Sequence, residues 1–276
     1  MHIRLGYDIV YDCPAPTPMS LILNVRPERH ADLVTPEVMR IEPELPVRRR
    51  RDGFGNICTH LVAPAGPIRF NADFIISDSG EPDPDCADAA QHPVEELPDD
   101  VFVYLLASRY CDVDSLGTLA WSLFGHMPPG AGRVQAICDY VHDRITFDYL
   151  SARPTRSASE ANEDRVGVCR DFAHLATALC RCMHIPARYC TGYLGDIDVP
   201  PTPVMDFSAW FEAYLGGAWR TFDARHNFPR IGRVLMAYGR DAADTAISTT
   251  FGQTYLVRFD VIAEEVALSR ISLASR

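Results

Sequence analysis

Ile3, Leu5, Tyr7, Ile9 and Tyr11 share one parity, which places five large side chains on a single face of a strand. Short apolar runs at 20–25, 38–41, 57–62 and 69–76 predict further strands. Turn residues separate them, notably RDGFGN at 51–56, a hairpin signal. Several short strands at this spacing predict a small antiparallel β-sandwich over 1–80.

The pattern then stops. Residues 77–100 (SDSGEPDPDCADAAQHPVEELPDD) are acidic, rich in proline and almost without large apolar side chains, so 81–100 reads as a linker that adds little to any core. Beyond it the period lengthens to that of helices, at 101–108, 116–124 and 133–145, the last with Val134, Ile137, Cys138 and Val141 on one stripe. A further helix runs from Cys169 to about Met183, where Ile185-Pro186 stops it. Strands are expected at 188–193, 209–215 and 219–222. The fold class is therefore α+β, with a second domain at 101–276 in which a cysteine-headed helix packs on an antiparallel sheet.

At 276 residues, 47% hydrophobic and 23% charged, the chain has the composition of a water-soluble protein of two domains, and no apolar run is long enough to cross a membrane. A net charge of -11 argues against nucleic acid as a partner, because phosphate binding needs clustered Lys and Arg. The one basic run, Arg48–Arg51, abuts a turn and reads as a solvated strand end. The start MHIRLGYDIVYD lacks the basic and apolar blocks of a signal peptide, so a cytoplasmic location is expected. The nine cysteines then read as reduced and mostly buried rather than as a disulfide framework.

Cys169 opens its helix behind a glycine, in GVCRDFAHL at 167–175. Thiolate is the reactive form of cysteine, and the free N–H groups and positive dipole end of a helix favour it, so a first-turn cysteine is a candidate nucleophile. Position alone leaves the alternative of a small buried core residue.

From Gly167 the chain reads GVCRDFAHLATALCRCMHIPARYCTGYL, and from Asp206 DFSAWFEAYLGGAWRTFDARHN. These segments resemble the transglutaminase-like superfamily of papain-like cysteine enzymes. The shared features are Gly-x-Cys opening a helix, Ile-Pro-x-Arg leading to Gly192-Tyr193, an Ala209-Trp210 strand, and Trp219 followed by Phe222-Asp223. GRDAADTAISTTFG at 239–252 and the DGFGN hairpin resemble the bacterial type with its N-terminal domain. The resemblance implies a Cys–His–Asp triad acting on a peptide or protein amide through an acyl-thioester, with no cofactor or metal. Cys169 and Asp223 match that triad, whereas Ser208 stands where the histidine is expected, and a hydroxyl has no useful basicity near neutral pH.

His226, three residues past Asp223, is the candidate replacement base; its alternative role is to order the loop DARHN. His174 lies about 140° around the helix from Cys169 and reads as structural. Asp171 is expected to cap the helix or pair with an arginine such as Arg188, and Trp210 and Trp219 to pack behind the site. Tyr149 lies where the resemblance implies residues lining the cleft, and its alternative, the one expected, is a buried core residue. Neither CRCMH at 180–184 nor Cys138 with His142 gives four ligands at zinc spacing. The expected function is a cysteine peptidase or amidase; the alternative is a catalytically silent fold that binds a peptide or partner protein.

Overall fold

In the computed structural model, which describes residues 1–202 and 204–267, the alternation at the amino end builds β1 (His2–Cys13), with all five predicted core side chains buried. β2 (Thr17–Leu21), β3 (Arg40–Glu42), β4 (Arg48–Arg51), β5 (Ile57–Ala63) and β6 (Gly66–Ser77) follow. The Asp52 carboxylate accepts from Phe54 N and Asn56 N and so closes the predicted hairpin between β4 and β5. Arg48–Arg51 form an exposed edge strand, where charge discourages pairing with other chains.

The second half holds α1 (Val113–Phe124), α2 (Ala131–Arg144), β7 (Thr146–Phe147), α3 (Ala158–Asp164), β8 (Val166–Gly167), α4 (Cys169–Cys182), β9 (Ala187–Leu194), β10 (Ser208–Leu215), β11 (Ala218–Phe222) and β12 (Arg233–Gly239). β13 (Ser248–Thr250) and β14 (Tyr255–Glu265) end the described chain, and the expected domain's last residues, from 268, lie outside it. The helix predicted at 101–108 is instead a 3-10 turn at Asp99–Tyr104, whose buried Val101 and Tyr104 are spaced at the three-residue period of that geometry.

Three antiparallel sheets carry the architecture, ordered β14-β1-β6-β3, β13-β2-β5-β4 and β11-β10-β9-β12. β14 pairs with β1 along nearly its whole length, and β13 with β2, so the sheets of the amino-terminal part are completed from the far end of the chain. This pairing crosses the expected boundaries at 80 and 100.

The β9–β12 sheet sits between two cores. One face packs with α1, α2 and α4 around Leu175, Leu179, Phe211 and Phe222; on the other, Tyr193, Val234 and Met236 join Ile3, Leu5 and Phe74. At Gly192 a Cβ would meet Val234 O at 2.2 Å, so the bulged pairing of β9 with β12 requires glycine there.

The acidic segment is docked, despite its lack of large apolar groups, because polar and backbone bonds pin it to the second half. Asp83 accepts from Arg233 Nε at 2.8 Å and from Arg230 N at 2.9 Å, Gln91 donates to Met183 O, and Cys86 and Ala89 pack against the helical core.

Candidate active site

α4 begins at Cys169, and the local sequence explains why. The Asp171 carboxylate accepts from Val168 N at 2.9 Å, closing the helix start from the third helical position, and its charge suits the positive dipole end. That carboxylate is fully buried, and its arginine partner is Arg156, at 3.0 Å, rather than Arg188, which pairs with Glu212. A Cβ on Gly167 would lie 2.6 Å from Asp171 Oδ2, so glycine two residues before the cysteine lets the capping acid close in.

Cys169 as a residue is half-buried and packs against Ala173, Tyr189 and Ala209. Burial is the largest influence on it and, with the negative charge of Asp206, pushes the thiol up to about 11; the Arg225 charge and the neighbouring backbone N–H groups of Ala209 and Arg170 pull the other way. Among the described residues the thiol makes no hydrogen bond to an imidazole. The charged side chains that bear most on it are Arg225 and Asp206, rather than the expected Asp223.

Asp223 follows β11 directly and is nearly fully buried. Its Oδ1 accepts from Arg225 N at 3.0 Å and His226 N at 3.1 Å. Its Oδ2 accepts from Arg233 Nη2 at 2.8 Å and lies 2.8 Å from His226 Nδ1. Burial opposes its charge, but Arg233 and the His226 hydrogen bond outweigh it and hold the carboxyl far below the usual carboxylate range. An ionised carboxylate only accepts, so His226 Nδ1 carries a proton toward it, and in the neutral ring Nε2 is the nitrogen left to accept. One carboxylate thus both orders the turn and orients the His226 ring. α2 buttresses this turn: His142 Nδ1 donates to Arg225 O at 3.0 Å, and Asn227 donates to Asp139 at 2.8 Å.

Ser208, first residue of β10 and paired with Gly192, is buried, and its Oγ has no hydrogen-bond partner. It lines a narrow cleft together with Tyr149, Asp206, Arg225, His226 and Arg230. Tyr149 is exposed at the cleft mouth rather than buried, because Asp148 caps the 3-10 turn Tyr149–Ser151 and turns that side chain outward against Phe147. His174 is fully buried between Tyr110 and Tyr189, with Nε2 accepting from Ala242 N at 3.1 Å. Trp210 is buried beneath Arg233, and Trp219 stacks with Arg188.

Sequence reading missed Asp206, Arg225, Arg230 and Arg233. The available signal was three arginines within eleven residues of Asp223, in DARHNFPRIGR. No group of three or more His, Cys, Asp or Glu side chains suited to a metal ion occurs among the described residues. Nor is any helix there long and apolar enough to cross a membrane.

The family model described as "Transglutaminase-like superfamily" matches residues 119–224. A solved structure of a candidate cysteine protease from Cytophaga hutchinsonii is 31% identical, with 97% of this chain and 91% of that one covered and a TM-score of 0.81. The uncharacterised protein ML0607 of Mycobacterium leprae (strain TN) is 38% identical over 84 residues, which span 29% of this chain and 30% of that protein's length. The chain belongs to the transglutaminase-like superfamily, and its likeness to the Cytophaga protein extends over both halves of the fold.

Proposed function

We propose that this chain is a cysteine peptidase or amidase in which Cys169 is the nucleophile and His226, oriented by Asp223, is the base that replaces the histidine absent at Ser208. The observation that carries this reading is the 2.8 Å contact of His226 Nδ1 with Asp223 Oδ2, in a ring that lines the same cleft as Ser208. It reproduces the imidazole–carboxylate half of a triad from a different chain position. The Cys169 sulfur attacks the carbonyl carbon of an amide while its proton passes to His226 Nε2. The tetrahedral intermediate expels the amine, which takes that proton, and leaves an acyl-thioester. Water then attacks the thioester, returning a proton through His226 to the thiol and releasing the acid. First-turn N–H groups of α4 are donors for the oxyanion. Hydrolysis, rather than transfer to an amine, is supported by the description of the Cytophaga relative as a candidate cysteine protease.

A second reading, a silent fold that binds a peptide or partner protein, is favoured by the thiol pushed up to about 11 without an imidazole bonded to it. Alkylation of Cys169 by iodoacetamide from about pH 5 to about pH 10 separates the two. An active site gives labelling near pH 6 well above that of a free thiol, a loss of about tenfold or more in His226→Ala, and amide hydrolysis abolished in Cys169→Ala. A rate that climbs about tenfold per pH unit to the top of the range, and is unchanged in His226→Ala, establishes the silent protein instead.

A further inference from the structure

Beside Cys169 lies a surplus of hydrogen-bond donors that the proposed chemistry does not use. The Arg225 guanidinium sits on the Phe147 ring, 3.9 Å from its centroid, and among the described residues no carboxylate pairs with it. It is close enough to the thiol that its charge acts on it. The half-buried Arg225 acts with the Tyr149 hydroxyl and the charge of Asp206, whereas Ser208 Oγ and Arg230 Nε are buried without a hydrogen-bond partner, and all three side chains line one cleft of about 20 Å³. Each buried donor without a partner calls for an explanation, and where two of them converge on one cleft with a guanidinium, a bound acceptor is one that fits.

The acids of the same cleft do not meet this demand. Asp196 Oδ2 is occupied by Thr202 N at 2.6 Å and Thr202 Oγ1 at 2.8 Å, and its nearest approach to Arg230 is 3.8 Å. Asp206 is largely desolvated, which disfavours its charged form, and Phe207 N–H and Arg225 only partly offset this.

We infer that the cleft holds a carboxylate of the substrate next to the scissile amide, with Arg225 as its cation and Ser208 Oγ and Arg230 Nε as flanking donors. The inference rests on the amide-hydrolase reading for its scissile bond, while the carboxylate pocket stands on its own geometry. The substrate class is then an acidic peptide or a peptide ending in a free carboxylate, with the charged group a short reach from the attacked carbonyl. Ser208 takes on a purpose that a histidine at that position would not serve: a small donor that leaves room for the anion.

Two alkylating reagents that differ in one group test this on the full chain. Iodoacetate carries a carboxylate and iodoacetamide a neutral amide, and the ratio of their rates at Cys169 cancels the thiolate fraction. Free thiols react more slowly with the anion. The wild-type ratio is expected to exceed that of N-acetylcysteine by about tenfold or more, the effect of one charge-assisted hydrogen bond. Arg225→Gln should bring it back to the free-thiol value and Arg225→Lys should retain part of it. Acetate should protect wild-type Cys169 from iodoacetamide and raise its melting temperature. A wild-type ratio at or below that of the free thiol, with no acetate protection, overturns the pocket, as does a ratio unmoved in Arg225→Gln. If the thiol reacts with neither reagent, the hydrolase reading fails. The melting temperature in acetate, compared between wild type and Arg225→Gln, then still decides the carboxylate site.

Discussion

Cys169 and Asp223 both lose water on folding, yet the one is pushed toward its protonated form and the other toward its charged form. Burial pushes the thiol up, with only one guanidinium charge and two neighbouring backbone N–H groups to oppose it. Asp223 meets the same penalty with Arg233, the His226 ring and two backbone N–H groups, and its carboxyl is driven far down. The difference teaches where this site stores charge, which is on the acid rather than on the sulfur.

The site thus has two walls, a thiol wall around Cys169 and an acid wall of Asp223, His226, Arg233 and Asp83. The sharpest way to break the contrast is to remove the charge that the acid wall is built around. Asp223→Ala leaves Arg233, which is 7% exposed, short of one of its two carboxylates and frees the His226 ring. We expect a stability loss of about 3–5 kcal/mol by denaturant unfolding. Amide hydrolysis should fall about 10⁴-fold in the gentler Asp223→Asn, whose amide can impose the wrong imidazole tautomer. The sign with pH follows from the lowered folded pKa. The stability that Asp223 contributes is fully present above its unfolded value of about 4 and is lost as the pH falls through the folded one. Asp223→Asn should therefore flatten the acid limb of the stability curve below about pH 4; an unchanged limb assigns acid unfolding to other carboxylates.

How much of this was legible in the chain differs between the two walls. β1, α1, α2, α4 and the β9–β11 strands were readable because each carries one uninterrupted apolar period. Cys169 was readable because a glycine and a capping acid mark its helix start. β14 was not, since Leu256 and Val257 are both exposed while only Val261 and Ala263 are buried, so alternation covers half its length. The docked acidic segment was invisible because its hold is polar and its partners lie about 150 residues away, as Asp83 with Arg233 shows. The arginines of the acid wall stood in plain sight, but periodicity carries no information on which carboxylate an arginine meets.

Ser208→His restores the residue expected on β10 and tests which wall owns the base. Position 208 is 5% exposed and its cleft holds about 20 Å³, so an imidazole there is overpacked and competes with His226 for Asp223. A loss of about 1–3 kcal/mol is expected. Hydrolysis should fall and the iodoacetate preference should vanish. Activity that appears only in Ser208→His would show that the wild-type cleft is intact but silent, which sinks the recruited-base reading.

Asp83→Asn makes the smallest change, one charge removed from the docked acidic segment. Both Asp83 oxygens accept from Arg233 Nε, at 3.0 and 2.8 Å, and the same guanidinium reaches Asp223 through Nη2 at 2.8 Å. Asp83 is thus a positioning residue that acts on His226 through Arg233 and Asp223. An asparagine keeps one acceptor but loses the charge, so stability should drop by about 1 kcal/mol. The value of kcat should fall about threefold to tenfold with KM unchanged, and Asp83→Glu should recover part of it. A change confined to KM would mean that the segment borders the substrate instead, and the contrast between the two walls would then stop at Arg233.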